Sequence, residues 1–468
     1  MKLPRLPLGV SPRHGLVAIL AALLGAAAFP PLGLWPLSLA SIACLLRLLR
    51  DRTTREALDL SLVYGVLYGL GTMWWFFGLF GGLAIPMIAL MGGYFGLLGA
   101  LIGMTRGRSA LVRAAMVGIF AVAVEWVRGD CWYLRFPWYT APHALAAASA
   151  WIAAARWVGV YGLSFLVWSI AAGGAFGRPY VWLAFLLLPA ASWFLGPVGD
   201  ADRRVLLFQA DETNQLETMM PNAPADDIDL AVAPEYAYQT SPASAIKTLR
   251  GPGELAKRSQ CPVVFGAVEG AYGEAHFKNV AVFFDPKEES FKTFQKQRPV
   301  PLMLDGDAGT ERPTFAVKDG RLGVGVCYDF DAPEVAADLV RHGATVLVVP
   351  THDGWSWFGV RQQHHGLVVR LRAVENDRWV LRAVNTGRTE VIDPHGVASE
   401  EGVKIGEKGY VVLPFAHRDS KFPGGQAYAF GPLGAMRTVL LVILCIARSF
   451  RSGARPRQTF APNTPRRG

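Results

Sequence analysis

The sequence has few of the residues that mark disulfide-rich, metal-binding or nucleotide-binding proteins. Its five cysteines show neither a CxxC pair nor the Cys/His spacing of a zinc site. No predicted strand ends in a GxGxxG motif or a P-loop. The neighbouring histidines His364 and His365 lie on a predicted helix and point to different faces, so they do not predict a metal pair. We therefore expect no disulfide framework, no metal and no cofactor.

Charged residues are also scarce, and their placement divides the chain. Only 18% of the residues are charged and 52% are hydrophobic, a composition typical of membrane proteins. Residues 1–198 contain long uncharged runs, whereas residues 199–431 have the composition of a soluble domain. Residues 432–450 are apolar again, and 451–468 predict a disordered cytoplasmic tail. The net charge of +9 lies largely in short loops and in this tail, which argues against a nucleic-acid partner.

The apolar runs predict eight transmembrane helices, since a span needs about 20 mostly apolar residues. Seven precede the soluble segment and one follows it, at roughly 14–30, 33–49, 58–80, 83–104, 109–127, 149–174, 179–197 and 432–449. Lys and Arg are concentrated at the N-terminus, in the even-numbered connections and in the tail. Positive residues stay on the cytoplasmic side. This predicts that both termini are cytoplasmic and that residues 199–431 are extracytoplasmic.

The soluble segment alternates short apolar runs with helical patterns. Seven runs predict buried strands: Val205–Gln209, Leu230–Ala233, Val263–Ala267, Val280–Phe284, Leu322–Val326, Thr345–Val349 and Val380–Ala383. Three helical patterns lie between or after them: Pro242–Ser259, Pro333–His342 and Gln362–Asn376. Alternating strands and helices predict a layered α/β domain.

Three reactive side chains each lie beside a predicted strand. Cys327 lies where an apolar strand turns into a helix, a position that holds a nucleophile rigidly at the sheet edge. Glu235 ends another strand, and Lys296 lies in a proline-bounded extended segment. Alone, each has an ordinary interpretation: a buried apolar cysteine, a surface carboxylate and a solvated lysine. Together they can do thiol chemistry, because a carboxylate can take the thiol proton while a cation lowers the thiol pKa and neutralises an oxyanion.

This ordered Glu, Lys and Cys set resembles the triad of the nitrilase superfamily of carbon–nitrogen hydrolases. Further motifs over nearly the whole chain resemble the apolipoprotein N-acyltransferase family: Pro31–Leu37, Glu125–Gly129, Phe136–Trp138, Gly159–Phe165, Cys327–Tyr328, Trp357–Gly359, Arg370–Glu375, Arg382–Gly387 and Ile392–Gly396. The resemblance implies eight membrane helices and a four-layer α-β-β-α sandwich. It also implies that Glu235 is the general base, Lys296 the oxyanion stabiliser and Cys327 the nucleophile.

The resemblance further implies a reaction and a location. A phospholipid would donate an acyl chain to the cysteine as a thioester, and the N-terminal amine of an S-diacylglyceryl-cysteine apolipoprotein would accept it. The location implied is the bacterial cytoplasmic (inner) membrane, with the catalytic domain on the periplasmic side, and we expect a monomer. Two alternatives stay open: a divergent acyltransferase or amidase that acts on another amine or amide, and a non-catalytic relative that binds lipid or lipoprotein.

Some neighbours of the triad depart from the family pattern. Where the family has a loop glutamate, this chain has Leu304, and Asp305 can replace that glutamate only if the loop shifts by one residue. The cysteine is followed by Tyr328 and by Asp329, which is shorter than the family's glutamate. These residues are predicted to support the site.

Four more residues are candidates for supporting or substrate-binding positions. Trp357 and Phe358 lie in an aromatic loop, and Trp138 belongs to an aromatic cluster that we expect at the membrane interface. Glu125 lies three residues before Arg128. The pair predicts either an ion pair that anchors a span end or a contact with a lipid head group or a substrate loop.

Overall fold

The computed structural model describes residues 11–247, 251–274, 276–288, 290–354, 359–420, 431–433 and 436–437. Most of the predicted eighth span and the whole of the predicted tail lie outside these residues. The described residues from 11 to 194 form helices joined by turns and loops. Their α-helices are α1 (Pro12–Ala27), α2 (Pro36–Leu49), α3 (Thr54–Met73), α4 (Phe76–Phe80), α5 (Ala84–Gly103), α6 (Ala110–Trp126), α7 (Ala141–Leu145), α8 (Ser149–Ile152), α9 (Ala155–Phe176) and α10 (Leu187–Ala190).

Helices α3 and α5 pack closely because glycines line their contact. A Cβ atom at Gly99 would lie 2.2 Å from the hydroxyl oxygen of Ser61, and one at Gly92 would lie 2.4 Å from a methyl of Val66. Small residues at helix contacts let two backbones approach, as is common in membrane helices. A capping box formed by Thr53 and Glu56 starts α3.

The described residues do not confirm all eight membrane-spanning helices that the sequence predicts. Among the described residues, three helices are long and apolar enough to cross a membrane: Phe76–Gly103, Ala110–Cys131 and Ala155–Phe176. Pro12–Ala27, Pro36–Leu49 and Pro179–Phe194 are apolar but shorter. The predicted seventh span is broken into a 3-10 turn (Pro179–Leu186), α10 and a second 3-10 turn (Ala191–Phe194).

The second half of the chain forms two β-sheets. The six-stranded sheet has the order β11-β1-β2-β3-β4-β5, and the five-stranded sheet has the order β10-β9-β8-β7-β6. The strands are β1 (Arg203–Gln209), β2 (Leu230–Val232), β3 (Val263–Glu269), β4 (Lys278–Asp285), β5 (Ser290–Gln295), β6 (Thr314–Val317), β7 (Gly320–Val324), β8 (Val346–Thr351), β9 (Val380–Val384), β10 (Glu390–Ile392) and β11 (Gly409–Phe415). The helices are α11 (Thr213–Met219), α12 (Pro242–Lys247), α13 (Pro252–Ser259), α14 (Pro333–Arg341) and α15 (Val360–Asn376).

Alternate residues of β1 show how the layers stack. Val205 and Leu207 pack in one core with residues of β7 and β8 in the other sheet. Leu206 and Phe208 pack in a second core with residues of α11 and α13. Because successive side chains of a strand point to opposite faces, the six-stranded sheet lies between its helices and the other sheet. Helices α14 and α15 cover the outer face of the five-stranded sheet, which gives the predicted α-β-β-α sandwich.

Helix α15 joins the sandwich to the membrane half. Its residues Val369 and Ala373 pack with the five-stranded sheet, whereas Val368 and Leu371 pack with the N-terminal helices. The guanidinium of Arg156, on α9, lies 2.7 Å from the carboxylate of Asp377 just after α15. The sandwich is therefore packed directly on the helical half.

Candidate active site

Cys327 lies on a strained turn between β7 and α14. The strand ends at Val324, and a short 3-10 turn spans Cys327–Asp331. The backbone of Cys327 has φ 49°, in the left-handed region that costs a residue other than glycine about 1–3 kcal/mol. The turn is tight, since a Cβ atom at Gly325 would lie 2.4 Å from the ring of Phe330. The structure therefore has the sharp elbow that the sequence predicts at this thiol.

Asp329 ties this elbow to the segment that carries Lys296. Its carboxylate accepts hydrogen bonds from the backbone N–H groups of Val326 (2.9 Å), Gln297 (3.0 Å) and Arg298 (2.7 Å). Burial raises the pKa of Asp329 to about 6, while the positive charge of Lys296 and the backbone donors act against it. Asp329 thus fixes the lysine segment relative to the cysteine, although it makes no hydrogen bond to the thiol.

Lys296 bridges two buried carboxylates. Its Nζ lies 2.8 Å from Oε1 of Glu235 and 2.7 Å from Oδ2 of Asp305, and its side chain is 1% exposed. Burial acts to lower the pKa of Lys296, but the negative charges of Asp305 and Glu235 raise it well above its usual value. The amine is therefore a permanent cation at the centre of the site.

Glu235 follows β2 on a loop that lies directly over β3. A Cβ atom at Gly266 would lie 2.6 Å from the Cα of Glu235, so only glycine allows this approach. Oε1 of Glu235 also accepts a hydrogen bond from Nδ2 of Asn279 at 2.7 Å, and Oε2 accepts one from the backbone N–H of His352 at 2.8 Å. These donors fix both carboxylate oxygens.

Asp305, and not Leu304, occupies the position next to the lysine. Its carboxylate accepts hydrogen bonds from the hydroxyl of Tyr236 at 2.8 Å and from the backbone N–H of Val300 at 2.7 Å. Leu304 is 70% exposed. The loop is therefore shifted by one residue relative to the family pattern. This shift brings the carboxylate of Asp305 within reach of Lys296.

We expect Asp305→Asn to slow acyl-enzyme formation about 10- to 100-fold, because one of the two negative charges that hold Lys296 is lost. The matched control is Leu304→Asn, which places the same amide at the exposed neighbouring position and leaves the rate within about twofold. The rate of acyl-enzyme formation in each variant is measured as release of lysophospholipid in a single turnover. Equal rates for the two variants would contradict this assignment of Asp305.

The thiol of Cys327 is protonated in the resting site. Burial, and then the negative charge of Glu235, raise the pKa of Cys327 well above its usual value, and the positive charge of Lys296 only partly offsets them. The sequence predicts a cation that lowers this pKa, and the structure shows that burial outweighs it. A base must therefore remove the proton when substrate binds.

The thiol lies at a cavity between the two halves of the chain. The hydroxyl of Tyr328 donates a hydrogen bond to the backbone carbonyl of Arg135 at 2.8 Å and so joins the elbow to the helical half. The loop residues Leu302 and Met303 line the cavity and are partly exposed. The helical half contributes an apolar wall of Trp75, Phe76, Leu79, Phe80, Met87, Phe136 and Trp138.

Of the other predicted supporting residues, only some lie at the cavity. Trp138 lines the cavity and is 4% exposed, so it is buried in the protein rather than placed at an interface. Glu125 does not line it, and its carboxylate accepts hydrogen bonds from Ser164 and Trp168. The described residues show no ion pair between Glu125 and Arg128, because the guanidinium of Arg128 binds the backbone carbonyl of Trp138 at 2.7 Å. Trp357 and Phe358 lie outside the described residues.

Three polar residues beside the cysteine are absent from the sequence-based prediction. Asp331, Asp353 and His365 line the same cavity, and donor atoms of Cys327, Asp353 and His365 lie within 4.8 Å of one another. Nδ1 of His365 is 2.8 Å from Oδ1 of Asp353, a hydrogen bond, so we assign no metal to the group. One signal marks Asp353: it follows the end of β8, the strand that runs parallel to β7, whose end leads to Cys327.

Comparison with known proteins gives the same division of the chain. Residues 209–437 match the profile described as carbon–nitrogen hydrolase, and residues 21–173 match the profile described as apolipoprotein N-acyltransferase N-terminal domain. Nit3 of Saccharomyces cerevisiae, a member of the nitrilase superfamily, has 20% identity, covers 50% of this chain and 96% of its own, and has a TM-score of 0.38.

Proteins named apolipoprotein N-acyltransferase are similar over most of the chain. The one from Azotobacter vinelandii is 27% identical and covers 82% of this chain and 86% of its own, and the one from Pseudomonas aeruginosa strain PAO1 is 25% identical and covers 94% and 97%. The sandwich that carries Glu235, Lys296 and Cys327 thus matches the carbon–nitrogen hydrolase class. With the match to the apolipoprotein N-acyltransferase N-terminal domain over residues 21–173, the whole chain is similar to proteins named apolipoprotein N-acyltransferase.

Proposed function

We propose that this protein transfers an acyl chain from a phospholipid, through a thioester on Cys327, to the N-terminal amine of an S-diacylglyceryl-cysteine lipoprotein. The observation that carries the proposal is the cavity at the thiol. Its apolar wall comes from the helical half, and Cys327 lines it from the sandwich side. A site that joins an acyl-binding surface to a buried thiol suits a lipid ester as donor.

In the first half-reaction, Cys327 attacks the ester carbonyl of the phospholipid. Glu235 takes the thiol proton, the carbon–sulfur bond forms, and the proton passes to the departing glycerol oxygen as the carbon–oxygen bond breaks. Nζ of Lys296 stabilises the oxyanion of the tetrahedral intermediate. Because Lys296 is held by Glu235 and Asp305, its charge is in place before the substrate arrives.

In the second half-reaction, the lipoprotein amine attacks the thioester. The carbon–nitrogen bond forms, and Glu235 takes a proton from the attacking nitrogen. The carbon–sulfur bond then breaks, and Glu235 passes that proton to the leaving sulfur. The products are an amide and the free enzyme, so the enzyme alternates between a free and an acylated form.

We further propose the arrangement of the chain in the bacterial inner membrane. Residues 1–198 and 432–450 would form a multi-pass domain of eight spans, with residues 199–431 on the periplasmic side and the tail 451–468 in the cytoplasm. The three long apolar helices and the distribution of Lys and Arg support this topology. Both substrates, outer-leaflet phospholipid and lipoprotein N-termini, would then meet the cavity on one side. We propose a monomer, since residues of one chain line the cavity on both its helical and its sandwich side.

Complementation tests the function. A bacterial strain depleted of its own N-acyltransferase should grow when it expresses this chain, and mass spectrometry of a lipoprotein N-terminus should show the added N-acyl group. Growth without N-acylation would indicate action on another amine. No growth and no N-acylation, with the protein present in the membrane, would contradict the proposal.

A further inference from the structure

A buried polar network lies beside the thiol, in the same cavity. His365 on α15 donates from Nδ1 to Oδ1 of Asp353, and Oδ2 of Asp353 lies 2.7 Å from the guanidinium of Arg382 on β9. The backbone N–H of Asp353 donates to Oδ1 of Asn385 at 2.7 Å. The side chains of Asp353, His365 and Arg382 are at most 3% exposed. The network is thus rigid, yet His365 and Asp353 line the cavity.

The hydrogen bonds fix which nitrogen of His365 carries a proton. Burial acts to raise the pKa of Asp353, but the interaction with His365 and the positive charge of Arg382 lower it below its usual value, so Asp353 is a carboxylate. A carboxylate can only accept, so Nδ1 of His365 bears the hydrogen. In the neutral ring the lone pair is therefore on Nε2, which accepts no hydrogen bond from the described residues.

Asp331 faces that lone pair. Oδ1 of Asp331 lies 3.7 Å from Nε2 of His365, and its side chain is 1% exposed. Neither carboxylate oxygen has a hydrogen bond of ordinary geometry among the described residues. Oδ1 of Asp331 and Nε2 of His365 are both acceptors. A group with several N–H donors can bind both atoms if its nitrogen lies about 2.9 Å from each. Burial raises the pKa of Asp331, and a bound cation would favour its ionised form.

The second half-reaction needs a site that binds the ammonium group of the acceptor and removes a proton from it. An α-amine is largely an ammonium ion at neutral pH, and an ammonium ion has no lone pair with which to attack a thioester. We infer that Asp331 binds the ammonium group of the acceptor and that His365, oriented by Asp353, removes its first proton. This inference rests on the proposed function and assigns the acceptor end of that same site.

The proton balance requires two bases. His365 takes one proton from the ammonium ion through Nε2 and passes it to water in the open cavity. The neutral amine then attacks the thioester, and its second proton reaches the leaving sulfur through Glu235. The net change is ester plus ammonium to alcohol, amide and one released proton. The ring of Trp138 stacks against His365, with centroids 5.9 Å apart, and its face can also attract the cation.

The two half-reactions can be measured separately in the full chain. The first is lysophospholipid release from labelled phospholipid. The second is discharge of the preformed thioester by a diacylglyceryl-cysteinyl peptide. In His365→Asn the new amide can still donate to Asp353, but nothing replaces Nε2. We expect the first half-reaction to stay within about threefold and discharge by the peptide to slow at least about 100-fold. Hydroxylamine, which is neutral at pH 7, should still discharge the thioester within about threefold.

A second variant and a packing control complete the test. Asp331→Asn should raise the peptide concentration for half-maximal discharge at least about tenfold. His364→Asn changes the adjacent buried histidine, which does not line the cavity, and should leave the ratio of the two half-reaction rates unchanged. The assignment is wrong if His365→Asn slows both half-reactions equally, or if both site variants discharge to peptide as the wild type does. Failure of the proposed function is distinct, because then the wild-type thioester would not form or would not react with the peptide.

Discussion

Replacing Cys327 by alanine is expected to abolish acyl transfer while the protein still folds and inserts. The thiol forms the bond to the acyl group, and no described neighbour can replace it: Glu235 has both oxygens hydrogen-bonded and Lys296 is a permanent cation. We expect a loss of at least about 10⁴-fold in lysophospholipid release. The left-handed backbone at this position also predicts that alanine costs no more stability than cysteine does.

Cys261 provides the matched control. It is also buried, but it packs in the core between the six-stranded sheet and its helices. Cys261→Ala should keep the rate within about twofold, because it removes one sulfur from a site without chemistry. Retained acyl transfer in Cys327→Ala, or equal loss in the two variants, would contradict the assignment of the nucleophile. Membrane fractionation confirms that both variants insert.

Replacing Lys296 by methionine is expected to have the largest effect on stability. The cation lies between two carboxylates that are nearly fully buried. Its removal leaves them uncompensated, and breaking such a buried pair costs about 3–5 kcal/mol. For a domain of this size that lowers the melting temperature in detergent by roughly 6–20 °C. Acyl-enzyme formation should fall about 100- to 1,000-fold because the oxyanion loses its partner.

Two further variants separate charge from packing. Lys292→Met alters a half-exposed lysine on β5, and its surface ion pair with Glu288 predicts a change within about 0.5 kcal/mol. The double variant Lys296→Met/Asp305→Asn removes one of the two uncompensated charges and should recover part of the melting temperature but not the activity. A melting temperature for Lys296→Met within 2 °C of the wild type would show that the buried ion pair does not stabilise the fold.

The sandwich was predictable where the chain is buried on both faces. The seven predicted strands all exist, because runs such as Val263–Ala267 pack against apolar layers above and below them. Strands β5, β6, β10 and β11 were missed because they lie toward sheet edges, where polar residues such as Lys292 interrupt the apolar pattern. The predicted helix Pro242–Ser259 is two helices, and the second begins at Pro252, a residue that favours a helix start.

Of the candidate site, only the three residues that follow predicted strands or extended segments could be predicted from the sequence. Each of these residues lies beside a strand: Glu235, Lys296 and Cys327. Their order along the chain therefore predicted a catalytic triad. The one-residue shift that brings Asp305 to Lys296 depends on loop geometry, which carries no periodic signal. The network of Asp331, Asp353 and His365 depends on how α15 packs on the sheet, a tertiary contact. Trp138 looked interfacial because aromatic belts and buried aromatic clusters have the same composition.

Direct detection of the acyl-enzyme tests whether acyl transfer proceeds through a thioester on Cys327. The purified full chain is incubated with a phospholipid of defined acyl chains, quenched at low pH and digested, and the peptide that contains Cys327 is weighed by mass spectrometry. The account predicts one added acyl group on this peptide, its disappearance when a diacylglyceryl-cysteinyl peptide is added, and an equal gain on the α-amine of that peptide. An acyl group on any other residue, or transfer to the peptide without an adduct on Cys327, would contradict it.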